Sequence, residues 1–243
     1  LYLKDGARRF VFEGRECGGH VGPRTSFVLW DTMVRTLLAD LPRVVDPTEL
    51  HVLFAGGIHD ATSAAMVAAI AAPLAAHGIR VGVLLGTAYL FTDEAVASAA
   101  ITPGFQAAAV SCGETVLLES GPGHATRCLP SPFVDDFNGE KLELMRTTTS
   151  SEEIRNRLEE LNIGRLRIAS KGVDRNPDYG RDPAAPKLIA MDSDAQWARG
   201  MYMIGQVAAL REQVIPMAAL HASVSAGSAE VLERVAMPEK HDK

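Results

Sequence analysis

Cysteine is scarce in this chain: Cys17, Cys112 and Cys128 are the only three in 243 residues. An odd number without a CxxC spacing fits neither a disulfide framework nor a zinc knuckle, so no metal is expected and a reducing compartment, the cytoplasm, is. A basic stripe is also missing. The formal net charge is -6 and the lysines and arginines are scattered, which gives a nucleic-acid backbone nothing to bind. Long apolar runs are absent too. The most hydrophobic stretch, residues 61 to 90, is interrupted by Pro73, His77, Gly78 and Arg80 and cannot cross a bilayer as one helix. No signal-peptide pattern stands at the start, so no membrane is expected.

What is present is core material. Hydrophobic residues make up 47% and charged residues 22% of the chain, the balance of an ordinary globular protein. The chain opens at Leu1 and within about a dozen residues is in an apolar run followed by a glycine cluster. We read it as a piece of something longer.

Three strand-loop-helix units follow one another. Phe10 to Phe12 lead into a glycine-rich loop, residues 13 to 22, and from Ser26 the apolar residues Trp30, Met33, Val34, Leu37, Leu38 and Leu41 repeat at helical spacing until Pro42. Leu50 to Ala55 form a second strand, Gly56-Gly57 a tight turn and Asp60 an N-cap for an alanine-rich helix that ends at Gly78. Ile79 to Leu85 form a third strand, ended by Gly86-Thr87, and another helix begins near Thr92. Nearly continuous apolar strands alternating with helices predict a parallel sheet buried on both faces.

Beyond residue 100 the rhythm changes. Residues 111 to 132 are rich in Gly, Pro and Ser, Ser150 with Glu153 makes a capping box, and residues 171 to 187 read as a loop or linker. Helical periodicity returns from Trp197 to Val214 and from Ala218 to Val235. The expected organisation is residues 1–110 as strands and helices of an α/β barrel, 111–192 as a helical and loop insertion, and 193–243 as closing helices.

All three strands end in glycine-bearing loops, and ligands bind at that end of a parallel α/β barrel. Glycine lets backbone N–H groups approach a phosphate without an intervening side chain. Gly56, Gly57, Gly86 and Thr87 are therefore candidates for a phosphate site, although any single glycine also serves simply to turn the chain. His20 follows two glycines at a strand tip, where an imidazole suits proton transfer. Glu13 and Glu16 bracket the same loop, placed to orient that imidazole, to meet ligand hydroxyls, or only to face solvent.

The segment EGRECGGHVG resembles the EG-x-EAGGH-x-G signature of the nitronate monooxygenases, formerly 2-nitropropane dioxygenases, and of their flavin-dependent enoyl-reductase relatives. LHVLFAGGI, VGVLLGTAYLFTDE and GMYMIGQVAAL resemble later segments of the same family, in the same order. The resemblance implies a (β/α)8 TIM barrel that binds FMN, with NAD(P)H as reductant. Within it, Gly56, Gly57, Gly86 and Thr87 meet the flavin phosphate and His20 is the catalytic acid or base. Glu13, Gly18, Gly19, Met203, Gly205 and Gln206 complete the implied cofactor contacts. Cys17 stands in place of the usual alanine and is assigned no redox role. Ala88 stands where the family often has arginine, which removes one contact near the phosphate or substrate.

In the family these segments are the sixth to eighth strands, so the N-terminal half of the barrel is expected as a partner to this chain. The long segment from Glu16 to Asp31 and the insertion around GPGHATR resemble family members that act with polyketide or polyunsaturated fatty-acid synthases. That favours an enoyl-thioester reductase acting on a free or carrier-bound acyl group beside other synthase domains. The rival activity is nitronate oxidation. A rival of another class is a non-catalytic fragment or docking module of a megasynthase.

Overall fold

A computed structural model describes residues 2–43, 46–147 and 150–236. Strands β1 (Arg9–Glu13), β3 (His51–Ala55) and β4 (Arg80–Leu84) form a parallel sheet in the order β1-β3-β4. Each strand pairs in register over five residues, so all three end at one edge. Helices α1 (Ser26–Asp40) and α2 (Ala61–Ala75) join them and cover one face of the sheet.

Burial explains that packing. Val52 and Phe54 of β3 and Phe12 of β1 meet Trp30, Val34 and Leu37 of α1 and Val67, Ala71 and Leu74 of α2 in one apolar cluster. Phe12 and Trp30 both stand edge-on to Phe54, with centroids 5.5 and 5.8 Å away, the geometry favoured by the ring quadrupole. The Trp30 indole donates to the Phe12 carbonyl at 3.0 Å, which satisfies its buried N–H. Asp60 caps α2 in a reciprocal box with Ser63, and Gly78 takes the left-handed conformation after it (φ 79°).

The other face of the sheet departs from expectation. Val11, Leu53 and Leu84 point there and are 51%, 36% and 43% exposed, so the sheet is buried on one face, not two. The strands are apolar on both sides, but among the described residues the helices lie on one side only.

The expected insertion, residues 111–192, holds strands as well as helices. β5 (Val116–Gly121) and β6 (His124–Cys128) form a hairpin, and β6 pairs on its other side with β2 (Gly19–Val21) in the antiparallel order β2-β6-β5. Part of the first glycine loop is thus a strand. β7 (Val173–Arg175) and β8 (Leu188–Ala190) likewise pair at the two ends of what reads in sequence as a linker.

Between β4 and β5 lie the short helices α3 (Thr87–Leu90), α4 (Asp93–Ala97) and α5 (Pro103–Val110). Helices α6 (Pro132–Thr147), α7 (Ser151–Asn162) and α8 (Arg165–Lys171) follow the hairpin, and Ser150 caps α7 by accepting from Glu153 N, one half of the expected box. The helix expected over Trp197 to Val214 is a correction. α9 (Ser193–Arg199) stops early, and a buried extended segment leads to a 3-10 turn, Gln206–Leu210. A Cβ at Gly200 would lie 2.7 Å from the Gln196 carbonyl and 3.0 Å from Ala169, so the chain turns there to pass Ala169. Helices α10 (Met217–Ala222) and α11 (Ser228–Ala236) close the described chain; the rest of the third expected region, 237–243, lies outside the described residues. No helix among the described residues is long and apolar enough to cross a membrane.

Candidate active site

Because β1, β3 and β4 run parallel, the loops after them gather at one edge of the sheet. Glu13, Glu16, Cys17 and Gly18 from the first loop, Gly56, Gly57 and Ile58 from the second, and Gly86 and Thr87 from the third line one cavity of about 130 Å3. That space takes a phosphate-sized group; a whole cofactor needs a few hundred Å3. A larger cavity, about 660 Å3, lies between β4, α2 and α10, but its walls are mostly alanine and valine side chains. Its polar side chains, His221, Ser225 and Ser228, are engaged within the chain by the Tyr89 hydroxyl and by the His221 and Ser225 carbonyls, so we place the chemistry at the smaller one.

The cavity wall is rich in free donors. Among the described residues the N–H groups of Gly57, Ile58, Gly86 and Thr87 donate no hydrogen bond to the chain. Gly57 has φ 76°, which only glycine adopts at little cost. Gly86 has φ -111° and open space where a Cβ would stand. Neither strain nor packing within the chain calls for glycine there, and its missing side chain leaves the backbone open to the cavity. No Lys or Arg lines the cavity.

The segment read as a later cofactor contact braces this cradle from behind. Gly205 N donates to the Thr87 hydroxyl at 2.7 Å, and Gln206 N donates to the Glu16 carbonyl at 2.9 Å. A Cβ on Gly18 would fall 2.7 Å from Gly205 N, so these two glycines permit backbone to pack on backbone. Met203 sits under Gly19, its sulfur 3.5 Å from where a Cβ would be. Met203, Gly205 and Gln206 are thus brought to the glycine loops but do not line the cavity, and the Gln206 side chain is exposed.

The first loop separates its acidic residues. Glu16 accepts from Ser26 N at 2.7 Å and from the Ser26 hydroxyl, so it caps α1 and is not aimed at His20. Glu13 stays on the cavity wall beside Cys17. Burial, together with the charge and hydrogen bond of Glu13, pushes the Cys17 thiol up to about 12. It stays protonated near neutrality and is a poor nucleophile.

His20 is placed on β2, opposite Thr126 of β6, exposed and outside the cavity wall. Its carrier strand is fixed by Arg127, which sequence reasoning missed. The buried Arg127 guanidinium donates to the Arg15 carbonyl at 2.9 and 3.1 Å and to the Thr115 hydroxyl at 2.9 Å. Burial lowers its pKa. The signal was a lone arginine in a Gly- and Pro-rich stretch, which sequence alone does not mark as a clamp.

No curated protein sequence matches this chain significantly. Among solved structures, FabK from Thermotoga maritima is similar to it with a TM-score of 0.65 and 23% identity, over 97% of this chain and 58% of that one. A point mutant of the same FabK gives 0.59 and 23%, over 96% and 57%. The nitroalkane oxidase from Streptomyces ansochromogenes gives 0.51 and 22%, over 96% and 55%. At these identities the likeness is one of fold, TIM-barrel-like α/β, and the chain spans somewhat over half the length of those proteins. The model of the family described as nitronate monooxygenase matches residues 1–220. That match takes in all three sheets and the bracing segment, and on it the chain belongs to the nitronate monooxygenase family, a family of oxidoreductases.

Proposed function

We propose that this chain is the C-terminal part of an FMN-dependent barrel oxidoreductase, most consistent with an enoyl-thioester reductase of fatty-acid or polyketide synthesis. One observation carries the reading: Gly57, Ile58, Gly86 and Thr87, whose backbone N–H groups donate to nothing in the described chain, all line one phosphate-sized cavity at the strand ends. The bare sheet face with Val11, Leu53 and Leu84, and the free edges of β1 and β4, are where strands from an N-terminal half would complete the barrel. On that reading β1, β3 and β4 are its sixth to eighth strands.

Bound in the cradle, FMN would supply hydride transfer from NAD(P)H to the β-carbon of an enoyl thioester. The chain's own residues do the rest. The Gly57, Ile58, Gly86 and Thr87 amides hold the phosphate, and the Thr87 hydroxyl, already accepting from Gly205, has its proton free to donate. Glu13 suits ligand hydroxyls, because a carboxylate repels a phosphate. Gly18 and Gly19 keep the chain low beside the cofactor, and His20 delivers a proton from its ring nitrogen to the substrate α-carbon. The antiparallel sheet carrying His20 borders the acyl group, presented free or on a carrier protein beside other synthase domains in the cytoplasm.

The family name and the nitroalkane oxidase neighbour favour a second reading, nitronate oxidation with the same histidine handling an acidic C–H. Anaerobic stopped-flow on the full-length polypeptide separates the two. Rapid flavin bleaching by NAD(P)H is expected; bleaching by a nitronate alone, with none by NAD(P)H, establishes the second reading instead. A colourless protein that takes up no FMN would leave only the docking-module alternative. His20→Ala should keep the flavin spectrum and slow turnover by roughly 10²- to 10⁴-fold; loss of FMN with normal activity on adding it back would remove His20 from the chemistry.

A further inference from the structure

The cradle poses a charge problem. A phosphate monoester brings close to two negative charges, yet the cavity wall holds Glu13 and Glu16 and no cation. Within this chain, the compensating charge can come only from behind the wall. Two arginines approach it. Arg127 spends its donors on the Arg15 carbonyl and the Thr115 hydroxyl. Arg211 does not.

Arg211 directly follows the 3-10 turn Gln206–Leu210, whose Val207 lines the cavity. Its Nη1 donates to the His59 carbonyl at 2.9 Å, its guanidinium carbon lies 6.0 Å from the centre of the Phe91 ring, and its Nε is buried with no partner. His59 is two residues beyond Gly57, and its Nδ1 lies 2.9 Å from the Gly57 carbonyl. The guanidinium therefore lies one short turn from the free amides. The nearest acid, Asp60, is engaged by Ser63 through its backbone N–H at 2.8 Å and its hydroxyl at 2.6 Å. Arg211 makes no ion pair with a described residue.

A partly buried cation with an orphaned donor and no ion-pair partner among the described residues, Asp60 acting on it only at longer range, has charge left to balance an anion. We propose that Arg211 is the positioning and charge-balancing residue of the cradle: it ties back the His59 carbonyl, so that the Gly57–Ile58 amides face the cavity, and its charge offsets the phosphate. This rests on the FMN reading of the site. The residue acts on the phosphate end of the cofactor and not on the flavin ring.

Riboflavin, which lacks the phosphate, is the control. In the full-length polypeptide, dissociation constants for FMN and riboflavin are measured by flavin fluorescence for wild type and for Arg211→Ala, Arg211→Gln and Arg211→Lys. Arg211→Gln keeps a donor for His59 and preserves the test if the alanine variant fails to fold. The expected result is FMN binding weakened about 10- to 100-fold in the Gln and Ala variants, the worth of a charge-assisted contact. Riboflavin binding should stay within about 2-fold, with partial recovery of FMN binding in the Lys variant. Equal weakening of both ligands, or wild-type FMN affinity in Arg211→Gln, overturns the proposal while leaving the FMN site intact. A wild-type protein that binds neither flavin overturns both the proposal and the functional reading beneath it.

Discussion

The two sheets that meet at the glycine loops are held in place by different forces. The parallel sheet rests on a continuous apolar cluster in which Phe12, Trp30 and Phe54 stack edge to face. The antiparallel sheet reaches the site through a three-residue strand, β2, and one buried arginine clamp from Arg127 to the Arg15 carbonyl. Its own apolar cluster, around Leu118, Phe133, Phe137 and Leu158, is separate and touches the loops only at its edge, through Met203 under Gly19. The consequence is a division of labour. The half that forms the proposed phosphate cradle is built on hydrophobic packing, and the half that presents His20 is tied to it by hydrogen bonds.

The contrast breaks most forcefully at Phe54. Phe54→Ala should cost about 3–5 kcal/mol, read as a lowered denaturant midpoint, with amide-exchange protection lost first in β1, β3, α1 and α2. Protection in α6 and α7 should survive longer. Simultaneous loss in all of them would show that the two halves are one cooperative unit.

A smaller effect is expected from Arg127→Met, which keeps the bulk and removes the donors. Leaving the Arg15 carbonyl without its partners should destabilise by about 1–3 kcal/mol. Turnover should fall more than FMN affinity, because β2 and His20 lose their anchor while the cradle keeps its packing. An equal fall in both would deny the division.

The smallest effect should come from Asp60→Ala, at about 1 kcal/mol for a lost N-cap. Burial works against the Asp60 charge, but the Ser63 hydroxyl and N–H, with His59 and Arg211 nearby, outweigh it and lower its pKa. A lowered carboxylate pKa gives stability that is present above the ordinary carboxylate range and lost as pH falls through the folded value. The gap between wild type and variant should thus be full at pH 7 and close on acidification; a gap that widens in acid contradicts the assignment.

The same contrast governs what could be read in the sequence. The spacing from Trp30 to Leu41, the Asp60 cap and the strand at Leu50 to Ala55 are local patterns, and each appears where expected. The gathering of Gly18, Gly57, Gly86 and Thr87 follows from parallel strands alone. The β5-β6 hairpin was hidden because its Gly121-Pro122-Gly123 turn and serine-rich flanks read as loop, and the pairing of β2 with β6 depends on a partner far along the chain. Met201, Tyr202, Ile204, Val207 and Ala208 are spaced like a helix face, but they are buried in an extended segment and a short turn. Burial there mimics helical periodicity. Glu16, which spacing left open to orient His20, to meet ligand hydroxyls or to face solvent, caps α1 instead, a choice made by the fold and not by spacing.

The central claim is that the backbone amides at the ends of β3 and β4 hold the cofactor phosphate. Amide resonances of the full-length polypeptide, followed during titration with FMN and then with riboflavin, test it directly. The account predicts large shifts at Gly57, Ile58, Gly86 and Thr87 with FMN, and much smaller ones at the same amides with riboflavin. Shifts of equal size with both ligands, or shifts that leave these four amides unmoved while FMN binds elsewhere, would contradict it.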